Sequence, residues 1–170
     1  MLSWLFSVAT FAGIYALLAL GINVIWGMGG MINLGMAGFF ALGAYASALA
    51  TASGGLPIPI GLALAAGLAA LAGGLLCRLT LRLRGDYLAI VTLGFSELVR
   101  LVAANEIWLT NGSDGISGVP GPWRSELTPF PFNMLSFGLV ATAVVLVWAV
   151  TERLRPAPWG PALRAIRVYH

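Results

Sequence analysis

Residues 1–78 read MLSWLFSVATFAGIYALLALGINVIWGMGGMINLGMAGFFALGAYASALATASGGLPIPIGLALAAGLAALAGGLLCR, and the first Asp, Glu, Lys, Arg or His among them is the last, Arg78. A stretch this long without such side chains cannot form the surface of a water-soluble domain, and at about 20 residues per helical crossing it holds three spans of a bilayer. Over the whole chain 59% of residues are hydrophobic and 9% are charged, against roughly 25% charged in soluble domains. The start, Met1-Leu2-Ser3-Trp4, lacks the basic n-region of a secretory signal, so the first apolar run is expected to stay as a span.

Turn-forming residues divide the chain. Spans are predicted at about 2–26, 31–52, 57–77, 87–104 and 132–150, separated first by the Gly27-Met-Gly-Gly30 break and then by Ser53-Gly-Gly55. The fourth carries Glu97 and Arg100, and a charge near a helix centre costs about 2.5–3.5 kcal/mol on insertion scales. Charge asymmetry decides that it spans. Arg78, Arg82 and Arg84 follow the third span, and Arg153, Arg155, Arg164 and Arg167 follow the fifth. Both clusters belong on the cytoplasmic side, and an even number of crossings must separate them. The loop 105–131 then faces outside, with Glu106, Asp114 and Glu126 against one Arg, Arg124. The fold class is therefore an all-α polytopic membrane helix bundle of about five transmembrane helices, with residues 1–170 forming a single transmembrane domain, N-terminus out and C-terminus in.

Composition also removes reaction classes. All nine basic residues are Arg, so no P-loop or Schiff-base lysine exists. Cys77 and His170 each stand alone, leaving no Cys/His metal cluster and no internal disulfide. No nucleophile and base pair is recognisable, so no catalytic residue and no metal ligand is assigned, and no basic face suits nucleic acid. No acidic ring or carbonyl filter of a channel is visible either.

Gly61, Ala65, Ala69 and Gly73 form a small-residue ridge in the third span, and Ala44, Ala48 and Ala52 another in the second. Such ridges let helices approach closely. Asn23 and Asn33 flank the Gly27–Gly30 break, where they serve either as caps of a turn or, for Asn33, as part of a solute pathway. Glu97 and Arg100, three apart on a helix, share a face and can pair. Ionisable residues inside a span are pathway candidates; helix locking or snorkelling is the structural alternative.

The segment Arg82-Leu-Arg-Gly-Asp-Tyr-Leu-Ala-Ile-Val-Thr-Leu-Gly-Phe-Ser-Glu-Leu-Val-Arg100, followed by Asn111-Gly-Ser-Asp-Gly-Ile-Ser-Gly-Val-Pro120, resembles the permease subunits of branched-chain amino acid ABC transporters. The run from Gly21 to Tyr45 is similar in outline. Pro158-Trp-Gly-Pro-Ala-Leu-Arg-Ala-Ile-Arg167 is similar to the cytoplasmic segment that docks such permeases onto their ATPases. Its Leu163 and Ile166 form one stripe and Arg164 and Arg167 another, a pattern that anionic lipid would also hold.

The resemblance implies a membrane-spanning permease subunit of an importer for branched-chain or related amino acids, in a bacterial inner membrane. A second permease subunit, two ATPase subunits that use the ATP, an external solute-binding protein and the surrounding lipid would be its partners; the chain itself would hold no cofactor. It further implies ATPase coupling through Leu163, Arg164, Ile166 and Arg167, and binding-protein docking at Asp114, Gly115 and Ser117, where the glycines permit tight turns and Asp114 is placed to cap one; a plain turn is the structural alternative. Family members usually carry a basic residue where Pro161 stands and run on, after Ala-Ile-Arg, into acidic residues and further spans. This chain reads Val168-Tyr169-His170 there, so it is expected to be truncated at its C-terminus. The competing expectation is a non-transporting helical scaffold or assembly partner, which has no need of an ATPase-docking segment.

Overall fold

The computed structural model describes residues 2–28, 30, 32–80, 85–124 and 127–154. Among them every regular element is helical. Helix α1 (Leu2–Ile22) continues into a π-helical turn at Asn23–Met28; α2 (Met36–Ala48) continues into another at Leu49–Ser53. Helix α3 (Ile58–Thr80), α4 (Gly85–Asn105), the short α5 (Ile107–Thr110), a 3-10 turn (Gly112–Asp114) and α6 (Pro129–Leu154) follow. Five of these segments are long and apolar enough to cross a membrane: Leu2–Gly27, Met36–Ser53, Ile58–Thr80, Tyr87–Asn105 and Pro129–Arg153.

Burial is arranged as lipid demands. No hydrophobic residue among those described is buried, whereas Thr51, Thr80, Thr92, Thr110 and Thr151 are. Leu71 is 71% exposed and Trp4 72%. In water such a surface would aggregate; in a bilayer it is the solvent-facing side, and small residues take the interior because they let backbones meet. The buried threonines are satisfied locally: Thr51 donates to the Ser47 carbonyl, Thr80 to Leu76 and Thr151 to Val147, each one turn back.

The chain forms two compact units. In the first, Met1–Met31 with Trp123–His170, α1 packs along α6. Asn133 donates to Ser3 Oγ at 2.8 Å. Phe6 contacts the rings of Phe130 and Phe137 at 5.9 and 5.8 Å between centroids. Further along, a Cβ on Gly13 would lie 2.5 Å from Val140 Cγ1. Partners rise together along both helices, so α1 and α6 run parallel, as an even number of crossings between their starts requires. Arg124 stands 5.6 Å over the Phe132 ring at the head of α6.

The second unit, Ile32–Pro122, holds α2 to α4. Helices α2 and α3 form an antiparallel hairpin whose small-residue ridge is in contact: Gly61 faces Thr51 and Ser47, Ala65 faces Gly43, and Gly73 faces Phe39. The turn between them closes with the Gly54 N–H on the Leu49 carbonyl (2.9 Å), the Leu56 N–H on the Ala50 carbonyl (3.0 Å) and Gly55 at φ +61°. Pro57 and Pro59 then start α3, where missing N–H groups do no harm. Helix α4 packs on α2 in the parallel sense, Gly35 against Thr92 and Gly38 against Ser96. With α3 antiparallel to α2 and α4 parallel to it, α4 is a third full pass, despite its charges.

The second helix begins later than its apolar run suggests, at Met36 rather than at 31. The Asn33 carboxamide is the local cause. Its Oδ1 accepts the Gly35 N–H at 2.7 Å, a side-chain to backbone bond that competes with helix.

Candidate functional site

Backbone that leaves helical geometry inside an apolar bundle needs partners for its polar groups. Between Asn33 and Gly38 the Gly35 N–H is met by Asn33 itself, and the other partners come from α4. The Leu34 N–H donates to Thr92 Oγ1 at 3.0 Å, and the Gly38 N–H donates to Ser96 Oγ at 3.0 Å. Ser96 Oγ in turn donates to the Leu34 carbonyl at 3.3 Å, and Thr92 Oγ1 to that of Ala89 at 3.0 Å. Thr92, 1% exposed, is the most deeply buried side chain described. The approach is close because two residues lack side chains: a Cβ at Gly38 would sit 2.8 Å from Ser96 Cα, and one at Gly35 3.2 Å from the Thr92 carbonyl oxygen. Phe39 and Phe95, 4.7 Å apart, close the same seam.

Beside this seam α2, α4 and the turn at Gly112–Ser113 line an open cavity of about 520 Å³. Its wall carries Glu97 and Arg100 among Leu93 and alanines, with hydroxyls from Tyr45, Ser96 and Ser113. The charged pair is bidentate, Arg100 Nε to Glu97 Oε2 at 2.9 Å and Nη2 to Oε1 at 2.5 Å. Both residues sit on α4 and bond to each other, so the pair locks no two helices together. Arg100 is 64% and Glu97 52% exposed, which leaves their outer edges open to the cavity.

The loop after α4 is tied to the same place. Thr110, buried, donates to the Ala103 carbonyl at 2.6 Å and accepts the Gly112 N–H at 3.3 Å. This brings Gly112 and Ser113 onto the cavity wall. Asn111, in the left-handed region at φ 63°, donates from Nδ2 to the Gly115 carbonyl at 3.2 Å. The turn expected to be capped by Asp114 is therefore held by Asn111: it lies four residues before the carbonyl it reaches, and asparagine tolerates positive φ. Asp114 and Ser117 are exposed, with Gly115 between them at φ 70°. Trp108, 81% exposed, donates to Glu106 Oε2 at 2.6 Å.

The predicted residues thus fall into three groups. Glu97 and Arg100 meet in the cavity, and the 114–117 turn follows directly from its rim. Asn33 does not line the cavity; it shapes the segment before α2. Leu163, Arg164, Ile166 and Arg167 lie outside the described residues. Thr92, Ser96, Tyr45 and Thr110 were not singled out from the sequence. For Thr92 and Ser96 a signal exists, two hydroxyls at i and i+4 in an otherwise apolar turn, which a helix turns to one side.

Comparison with known proteins gives the same direction throughout. A family model described as the branched-chain amino acid transport system / permease component matches residues 4–168. The high-affinity branched-chain amino acid transport system permease protein LivM of Escherichia coli (strain K12) is 50% identical over 115 residues, 68% of this chain. LivM of Salmonella typhimurium (strain LT2) gives the same figures. The chain spans 27% of the length of each of these relatives. No solved structure matches. The five spanning helices and this likeness together make a multi-pass protein of the bacterial inner membrane.

Proposed function

Because the chain belongs to the family of permease components of branched-chain amino acid transport systems, we propose that it is a membrane-spanning subunit of an ABC importer for branched-chain or related amino acids. The observation that carries this reading is the family match across residues 4–168. On it, the chain works with a second permease subunit, two ATPase subunits and an external solute-binding protein. ATP is used by the ATPase subunits; this chain has no lysine with which to build a P-loop.

Residues 158–167 couple the permease domain to the ATPases, Leu163 and Ile166 seating in a groove while Arg164 and Arg167 find acidic partners. The turn at Asp114, Gly115 and Ser117 receives the binding protein. Its position next to the cavity rim supports that role, since a solute released there has Glu97 and Arg100 directly before it. Asn33 acts on the path indirectly, through the turn it holds ahead of α2.

Uptake of labelled leucine by membranes carrying this chain with its partner subunits tests the reading. ATP-dependent accumulation is expected, and its absence would contradict it. Crosslinking from Arg164 to an ATPase subunit is the companion measurement, because a scaffold without transport would give no such product.

A further inference from the structure

Helix α3 has two smooth sides, and α2 covers one of them: Gly61, Ala65 and Gly73 meet Thr51, Gly43 and Phe39. On the opposite side Gly67 and Gly74, two turns apart, have nothing within 4 Å of where a Cβ would stand. There Gly67, Ala70, Leu71, Gly74, Leu75 and Arg78 line an open groove of about 550 Å³ made by α3 alone. Leu71 and Leu75, both largely exposed, rise along one flank.

Small residues by themselves would suit a neighbouring helix as well as a lipid. The foot of the groove decides between them. Arg78 stands four residues beyond Gly74 on the same side, and it makes no ion pair or hydrogen bond among the described residues. No acidic residue occurs before Asp86, so the first three helices hold no carboxylate for it. Arg82 and Arg84 add two positive charges to the same stretch of sequence. A facing helix would have to bring carboxylates of its own to meet them.

A helical Cα–Cβ bond tilts toward the N-terminus, so the stem of Arg78 leaves α3 toward the membrane centre and lies over the groove. Its charge must then bend back to water or have an anion brought to it. A leaflet supplies such an anion in excess, the lipid phosphate. Charge asymmetry puts Arg78 on the cytoplasmic side, where negative head groups collect basic juxtamembrane segments. Length agrees as well. The eleven residues from Gly67 to Arg78 span about 16 Å of helix, close to half of the roughly 30 Å hydrocarbon core and so to the depth of one leaflet.

We propose that the α3 groove binds one anionic phospholipid of the cytoplasmic leaflet, its phosphate on Arg78 and one acyl chain over Gly74 and Gly67 beside Leu71 and Leu75. The groove shares no residue with the wall that carries Glu97 and Arg100. Lipid binding is read without transport, so this inference and the permease reading fail separately.

The test is native mass spectrometry of the full chain released from nanodiscs of equal phosphatidylglycerol and phosphatidylcholine with the same acyl chains. Wild type should retain one phosphatidylglycerol in preference to phosphatidylcholine by about fivefold, the order of one basic residue at a membrane surface. Arg78→Gln should bring the two lipids to within about twofold of each other, and Arg78→Lys should restore the preference. Gly67→Leu with Gly74→Leu fills open space and should lower retention of both lipids, whereas Gly138→Leu, at an equally open glycine of α6, should lower neither. A phosphatidylglycerol with a mid-chain diazirine should crosslink within 67–75 in wild type and not in the filled variant. Equal retention of the two lipids by wild type, a preference untouched by Arg78→Gln, or crosslinks no richer in 67–75 than in α6 would overturn the proposal. So would near-complete disulfide dimers through Leu71→Cys in a Cys77→Ser background, which would put a second copy of the chain on this face.

Discussion

The two units of this chain solve one packing problem in different ways. In the first, α1 and α6 are joined mainly by shape: Val140 fills the space over Gly13, and Phe6 is set between Phe130 and Phe137. In the second, α2 meets α4 through hydrogen bonds from the Thr92 and Ser96 hydroxyls to backbone around Leu34 and Gly38. Lipid is as apolar as leucine, so neither contact is driven by water exclusion; dispersion carries the first and polar satisfaction adds to the second. The difference teaches where function lies. The pair closed by shape keeps its polar contact to one end, where Asn133 meets Ser3, while the pair held by hydroxyls tolerates the irregular backbone and charged side chains from which a site is made.

The contrast can be broken experimentally, and the greatest effect is expected at the polar seam. Gly38→Leu would place a side chain on Ser96 Cα, 2.8 Å from the first added carbon, and displace the hydroxyl that holds the Gly38 N–H. Unfolding in mixed micelles should show a loss of about 3 kcal/mol, while Gly67→Ala, with nothing within 4 Å of the new carbon, should leave the midpoint in place. At the shape-based seam Gly13→Ala is next, at about 2 kcal/mol. Val140→Ala should restore much of that loss in the double variant, because the clash is with Val140 Cγ1 alone within 3 Å.

Thr92→Val follows. It keeps the shape and removes the acceptor for the Leu34 N–H, for about 1–2 kcal/mol by the same assay, and Thr92→Ser should recover nearly all of it. The smallest effect is expected from Phe6→Leu, about 0.5–1.5 kcal/mol, since volume is largely kept and only the aromatic geometry is lost. A Thr92→Val effect no larger than that of Phe6→Leu would mean that the hydroxyls do not distinguish the two seams.

Much of this was open to reading in the sequence, because a membrane imposes its rules on every residue. The charge-free opening to Cys77 and the Arg clusters foretold helices and their number. The ridge of Gly61, Ala65, Ala69 and Gly73 announced a close partner, though not that Thr51, Gly43 and Phe39 of α2 would supply it. Glu97 and Arg100 declared themselves by rarity and by spacing. The late start of α2 was only half legible: Asn33 offered itself as a turn cap, but Ile32 and Leu34 on either side are as apolar as α2 itself, and the Asn33 side chain turning back on Gly35 is what ends that continuity. Thr92 and Ser96 were hidden for a related reason. A hydroxyl in a span ordinarily bonds its own helix, as Thr51 and Thr80 do, and the i, i+4 spacing of Thr92 and Ser96 says that they share a face but not that the face meets α2.

The claim on which the rest depends is that α4 is a full crossing parallel to α2, carrying its ion pair through the bilayer and leaving the 111–118 loop outside. Introduction of Ser117→Cys in a Cys77→Ser background, with labelling by a membrane-impermeant maleimide, tests it directly. Intact cells or spheroplasts should label fully from outside. Labelling that appears only after the membrane is permeabilised would put the loop in the cytoplasm and contradict the account.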